Sequence, residues 1–203
     1  INFAIDKNKI IQLAMNGKGT PIYTNMSPVM SKFLWAAPEE KADPQKAKQI
    51  LEEKKLLPIK FTLKVPNSSK IYLDTAQSIK EQLKEVGITV DLEIIEWATW
   101  LSDVYTNRKY EASLAGLAGK MEPDAILRRY TSTYAKNFTN FNNARYDALI
   151  EEAKRTSNEA KQVENYKEAQ KILAEEQAAI FLMDPNTIIA TEKGLEGFEF
   201  YPL

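Results

Sequence analysis

The residues best placed to do chemistry lie in three short stretches. The first is Gly116-Leu117-Ala118-Gly119-Lys120-Met121-Glu122-Pro123-Asp124. Two carboxylates so close together can act as general acid and base when they are desolvated and face one pocket. Alternatively, Glu122 and Asp124 only favour the start of a helix through its dipole. The second stretch holds Trp97 and Trp100, three residues apart. Of such a pair one ring packs into the protein, and the other is free to stack on a ligand or on neutral backbone. The third interleaves Asn137, Asn140, Asn142 and Asn143 with Phe138 and Phe141. These amides can hydrogen-bond a ligand backbone or cap the helix that follows. Paired acids at 151–152 and 175–176 read as solvated helix faces.

Composition removes much other chemistry. With no Cys there are no thiolate nucleophiles, thiolate metal sites or disulfides in these residues, and with no His there are no Ser-His-Asp triads or imidazole metal sites. Ser113, Ser132 and Thr133 stand outside any nucleophile-elbow context. Only 7 Gly are present, where average usage gives roughly 14, so little is left for phosphate-cradling loops. Gly116 and Gly119 are too close for a dinucleotide fingerprint. The net charge of −1 argues against a nucleic-acid partner held by phosphate neutralisation. At 203 residues, 44% hydrophobic and 27% charged, the chain can bury a substantial core. Its longest apolar run, 178–183, is far too short to cross a bilayer. The first residue, Ile1, reads as the start of a trimmed or mature fragment. Asn25-Met26-Ser27, Asn67-Ser68-Ser69 and Asn137-Phe138-Thr139 match the glycosylation pattern, a weak signal.

The elements that must position these residues follow from periodicity. A first helix carries Ile5, Ile10, Ile11 and Ala14 and stops at Gly17. Residues 18–42 form a long wrapping loop, because periodicity disappears while Pro21, Pro28, Pro38, Tyr23, Phe33 and Trp35 accumulate. Asp43-Pro44 opens a second helix, with Asp43 as cap. Phe61, Leu63 and Val65 alternate with polar residues as a strand. Tyr72, Ala76, Ile79, Leu83 and Val86 then mark one helix face, and Gly87 stops it. Ile88, Val90, Leu92 and Ile94 alternate as a second strand, 97–106 reads as a short helix, and Tyr110, Ala112 and Leu114 as a third strand ending at Gly116. Residues 59–116 therefore read strand, helix, strand, helix, strand. That order implies an α/β fold with a mixed, largely parallel sheet flanked by helices. Ligands in such sheets bind at the carboxyl ends of the strands, where 116–124 lies. Residues 123–191 are mainly helical, with helices at 123–132, 144–155 and 159–177 and late strands at 179–183 and 187–191. On these residues alone, three functions remain open: a ligand-binding module, a carboxylate-dependent hydrolase or transferase, and an extracellular protein-interaction module.

Several stretches together narrow that choice. Phe3-Ala4-Ile5-Asp6-Lys7 with Gly17-Lys18-Gly19-Thr20-Pro21 resembles the "A-I-D-R … G-x-G-x-P" segment of the family 5 extracellular solute-binding proteins, the peptide/nickel-type binding subunits of ABC importers. Residues 43–51 resemble the family's "D-P-x-K-A-K-x-L-L", residues 83–90 its "L-x-x-x-G-I-x-V", and Glu96-Trp97 with Leu101 its "E-W-x-x-x-L". Residues 140–153, 166–182 and 194–202 are similar to its later motifs, in the right order. The resemblance implies that 1–203 is a single ligand-binding lobe, the C-terminal lobe of a two-lobed periplasmic-binding-protein-like fold. It implies a non-enzymatic function without cofactor or metal: capturing a small extracytoplasmic ligand, foremost an oligopeptide. The implied partners are a first lobe of the same protein and an ABC permease, and the implied location is the periplasm or the bacterial cell surface through a lipid anchor. The implied ligand-binding residues are Trp97, Gly116, Leu117, Ala118, Gly119, Lys120 and Glu122, to which the amide-rich loop adds Asn140 and Asn142. Peptide binders of the family commonly carry "G-W-x-x-D" in this loop, with the Asp pairing to the ligand ammonium. Here Leu117 replaces the Trp, Lys120 replaces the Asp and the loop is one residue shorter. Lys120 favours a carboxylate over an ammonium, and Glu122 remains to supply negative charge. Nickel binding through imidazole is excluded for these residues.

Overall fold

A computed structural model describes residues 1–199, so the last part of the 194–202 motif lies outside the described residues. Helix α1 (Lys7–Met15) is capped by Asp6, whose carboxylate accepts from the Lys9 amide, and it ends in left-handed Asn16 and Gly17. Helix α2 (Pro44–Glu53) starts on Asp43 and Pro44 as the sequence predicts, with the Asp43 carboxylate accepting from the Lys46 amide. Strand β2 (Ile59–Pro66), helix α3 (Lys70–Glu85) and strand β3 (Ile88–Ile95) form the crossover unit. Ser69 caps α3, and Gly87 at φ 86° turns the chain back into β3. The strands are parallel and in full register from Ile59 opposite Ile88 to Pro66 opposite Ile95. Leu63 and Val65 of β2, Ile88 and Val90 of β3, and Ala76, Ile79 and Leu83 of α3 close one apolar core with Ile5 and Ile10. Each fully buried Val, Leu or Ile side chain there contributes about 1.5–3 kcal/mol.

The third strand is shorter than its alternation predicts. Strand β4 is only Ala112–Ser113, parallel to β2. Glu111 turns its carboxylate onto the Thr62 amide at 2.7 Å, and the Tyr110 hydroxyl bonds the Phe138 carbonyl, so the ladder begins two residues late. The predicted helix at 97–106 divides into α4 (Trp97–Trp100) and a π-helical turn, Leu101–Thr106, in which the Thr106 hydroxyl bonds the Leu101 carbonyl at 2.8 Å.

The remaining helices are α5 (Pro123–Leu127), α6 (Ala144–Arg155) and α7 (Glu159–Glu175). A 3-10 turn, Arg128–Tyr130, replaces the last part of the helix expected to reach 132. The wrapping loop carries some regular structure. It contains strand β1 (Gly19–Pro21) and lays Met26, Met30 and Phe33 on a second core formed by α5, α6 and α7. The late strands are corrected. Strand β5 is Met183–Pro185, which starts on the last residue of the expected 179–183 strand and runs into the connection after it, and it pairs antiparallel with β1. A Cβ on Gly19 would lie 3.3 Å from the Asp184 carbonyl oxygen, so a close approach of the two chains pulls this segment into the ribbon. Residues 187–191 form no strand, and Ile188 and Ile189 are exposed. No helix among the described residues is long and apolar enough to cross a membrane.

Candidate functional site

The strand order β3-β2-β4 decides where the site is. From β2 the chain first adds β3 on one side and later β4 on the other. The carboxyl ends of β2 and β4 therefore flank a topological switch point, where crevices open in parallel sheets. Three connections converge there: the start of α3 after β2, α4 after β3, and the loop 114–122 after β4.

Trp97 and Trp100 divide as their spacing predicts. Trp100 is 2% exposed, and its indole Nε1 donates to the Ser113 hydroxyl at 2.9 Å. That hydroxyl in turn donates to the Lys64 carbonyl at 2.9 Å. Trp100 thus fastens α4 across the face of β2 to β4. Trp97 is 40% exposed and lies flat on it, with ring centroids 5.0 Å apart and 4° between planes. A buried ring fixed by a hydrogen bond holds an exposed ring in one orientation, which is how a stacking platform is made rigid. Beneath, the Lys64 ammonium is shared between Glu93 at 3.5 Å and Asp103 at 3.7 Å.

Every residue of the 116–122 loop is exposed. It is tied down at two points. The Gly116 amide donates to the Tyr72 hydroxyl at 3.2 Å, and the Ala118 carbonyl accepts from the Arg129 guanidinium at 3.0 Å. A Cβ on Gly116 would fall 2.9 Å from the Tyr72 oxygen, so only glycine permits this contact unaltered. Gly119 has open space around it. Leu117 and Met121 present large apolar side chains to solvent, as Ile94 and Leu101 do. Tyr72 is the residue that periodicity assigns to the inner helix face. Its placement before the switch point was the available signal for a second role.

The carboxylates do not form a closed pair. Glu122 is exposed, whereas Asp124 sits in the first turn of α5 and lies 3.8 Å from Arg128. Their charges add to burial in raising the Tyr166 hydroxyl to about 12. The asparagines also divide. Asn137 is 4% exposed and donates to the carbonyls of Tyr130, Thr131 and Phe141 at 3.3, 3.1 and 2.8 Å. Asn143 caps α6 by accepting from the Tyr146 amide at 2.8 Å. Asn140, left-handed at φ 58°, and Asn142 stay exposed. The loop reaches the tryptophan platform through Phe138, whose ring meets Trp100 edge-on at 5.7 Å. Among the described residues, no group of three or more Asp or Glu side chains is arranged to hold a metal ion.

The chain is similar to known proteins in sequence and in fold. The family model for bacterial extracellular solute-binding proteins, family 5, matches residues 1–138. The oligopeptide-binding protein AppA of Bacillus subtilis is 28% identical over 221 residues, covering 98% of this chain and 40% of AppA. The structure of AppA in complex with a nonapeptide superimposes with a TM-score of 0.87 over 99% of this chain and 44% of that one. Di/tripeptide-binding protein 1 of Pseudomonas aeruginosa is 26% identical over 185 residues, covering 87% of this chain and 34% of that protein. The chain thus spans well under half the length of these relatives.

Proposed function

The chain belongs to the bacterial extracellular solute-binding proteins of family 5, and we propose that it is one lobe of a receptor that captures an oligopeptide outside the cytoplasm for an ABC importer. In this reading residues 1–203 are a single lobe. A first lobe closes over the carboxyl ends of β2, β3 and β4, and a membrane permease accepts the ligand. The location is the periplasm or the outer face of the bacterial membrane.

The observation that carries the reading is the rigid tryptophan platform at the switch point, in a fold shared with a protein solved with a nonapeptide. A peptide is an extended chain of amides with varied side chains. Trp97 offers a flat face to neutral backbone, exposed Asn140 and Asn142 offer amides, and the 116–120 backbone offers N–H and C=O groups. Lys120 and Glu122 supply opposite charges for the peptide ends. No observation favours the hydrolase reading, because Glu122 is exposed and Asp124 faces Arg128.

Calorimetric titration of the longer natural protein with peptide pools tests the proposal. Saturable binding of at least one pool is expected, and silence toward every pool overturns it. The 203 residues alone should bind the same peptide far more weakly, because half a cleft leaves much of the ligand in water.

A further inference from the structure

A partly enclosed recess lies toward the amino end of the sheet. The Asp6 amide bonds the side chain of Gln82, one turn before the end of α3, where the chain enters the amino end of β3. Next to it, Lys7 is only 7% exposed. Its ammonium donates to the Ile22 carbonyl at 2.9 Å and sits over the Tyr23 ring at 3.9 Å. An ammonium has three donors; the carbonyl takes one and the ring face a second, which leaves one unused. Burial pushes Lys7 down to about 8, against the pull of Glu40.

Lys7 opens onto a cavity of about 220 Å³, room for roughly seven waters. Trp35 and Phe181 form apolar walls, and Glu40 and Glu175 add carboxylates. Glu40 is held by the Asn2 side-chain amide, and Glu175 lies 3.9 Å from Lys171. The cavity sits between the two apolar cores, because Phe181 packs on the helical core while neighbouring Ile180 and Leu182 pack on the sheet core.

We infer that this cavity is a second ligand site, separate from the tryptophan platform, for a small zwitterion: a free amino acid with an apolar side chain. Its carboxylate takes the free donor of Lys7, its ammonium faces Glu40 and Glu175, and its side chain lies against Trp35 and Phe181. A simple anion is disfavoured by the two glutamates and a simple cation by Lys7. A molecule carrying both charges satisfies all three.

The test is an NMR titration of the 203-residue chain, following the Trp35 indole N–H with L-leucine, leucinamide and N-acetylleucine. Leucine should shift this signal saturably at millimolar concentration, and each blocked analogue should bind at least about tenfold more weakly. Lys7→Met should cost at least about tenfold, and Glu40→Gln, at an exposed carboxylate, up to about fivefold. Glu40 is exposed, so its variant folds even where Lys7→Met does not. Trp97→Ala should leave the titration unchanged, which separates this site from the peptide site. Equal response to all three probes, an unmoved Trp35 signal, or loss of the response with Trp97→Ala overturns the inference. In the longer natural protein leucine should slow acetylation of Lys7. An unaltered rate there means that polypeptide fills the cavity, and the inference fails.

Discussion

The sheet layer and the helical layer of this molecule close their cores with different chemistry. Under the sheet, Leu63, Val65, Leu83, Ile88 and Val90 meet as aliphatic side chains, which ask only for matching shape. Between α5, α6 and α7, Tyr130, Tyr146 and Tyr166 are buried together with Gln170. The Tyr146 hydroxyl donates to the Leu127 carbonyl at 2.6 Å. Gln170 accepts from the Thr24 hydroxyl and the Trp35 amide, both at 3.2 Å, and donates to the Phe33 and Tyr166 carbonyls at 2.7 and 3.0 Å. All its hydrogen-bonding capacity is used, and most of it holds the wrapping loop onto α7. The helical layer is thus specific in partner and sensitive to proton loss. The sheet layer is specific only in volume.

Near-isosteric changes should expose the contrast most strongly. Gln170→Leu strands several buried partners, each costing about 1–3 kcal/mol, so a loss of at least about 3 kcal/mol is expected. Leu83→Met in the sheet layer should cost less than about 1.5 kcal/mol. Equal shifts in urea midpoint would erase the distinction between the layers.

Alkaline titration should come next. Burial raises Tyr130 to about 12 and holds Tyr146 well above its ordinary 10.0. The folded state therefore keeps protons that the unfolded chain has lost. This stability is fully present below pH 10 and is lost as pH rises toward 12, at about 1.4 kcal/mol per pH unit for each tyrosine. Lys7 runs the other way. Its pKa lies at about 8, below the ordinary 10.5, so its penalty is relieved as pH rises between those values. Tyr130→Phe with Tyr146→Phe should flatten the loss of stability above pH 10, and an unchanged slope would move the titration elsewhere.

At the sheet's carboxyl end, Trp97→Ala should weaken peptide binding by up to about tenfold, while stability moves by less than about 1 kcal/mol. A large drop in thermal midpoint would instead make Trp97 part of the core. The smallest effect belongs to Lys120→Asp. It should reverse the preference between peptides with a blocked amino end and those with a blocked carboxyl end, by no more than about fivefold for so exposed a charge. Identical preference in both proteins would remove Lys120 from the site.

The contrast between layers also explains what was legible. The α3 face, the β2 and β3 alternation, Gly87 and the Asp43-Pro44 start all rest on local rules, and each stands in the structure as read. The two tryptophans were separable by spacing, one inward and one outward. The misplacements fall where a distant partner overrides a local preference. Glu111 displaces the start of β4 by taking the Thr62 amide, and β1 draws Met183–Pro185 into a ribbon. The four asparagines look equivalent in sequence. Only the carbonyls around Asn137 and the α6 terminus at Asn143 divide them into bonded and exposed.

By itself, the sequence determined the α/β class and the crossover unit, and it excluded the chemistry that His and Cys would have supplied. These depend on composition and on periods of two and 3.6 residues, which one chain segment carries alone. The tertiary structure decided the rest. It placed β4 beside β2 to create the switch point and brought Tyr72 to Gly116 across 44 residues. It also buried Lys7 against a cavity wall that includes Phe181. Such juxtapositions arise only when segments far apart in the chain compete for the same partners, and no local pattern encodes which of them meets.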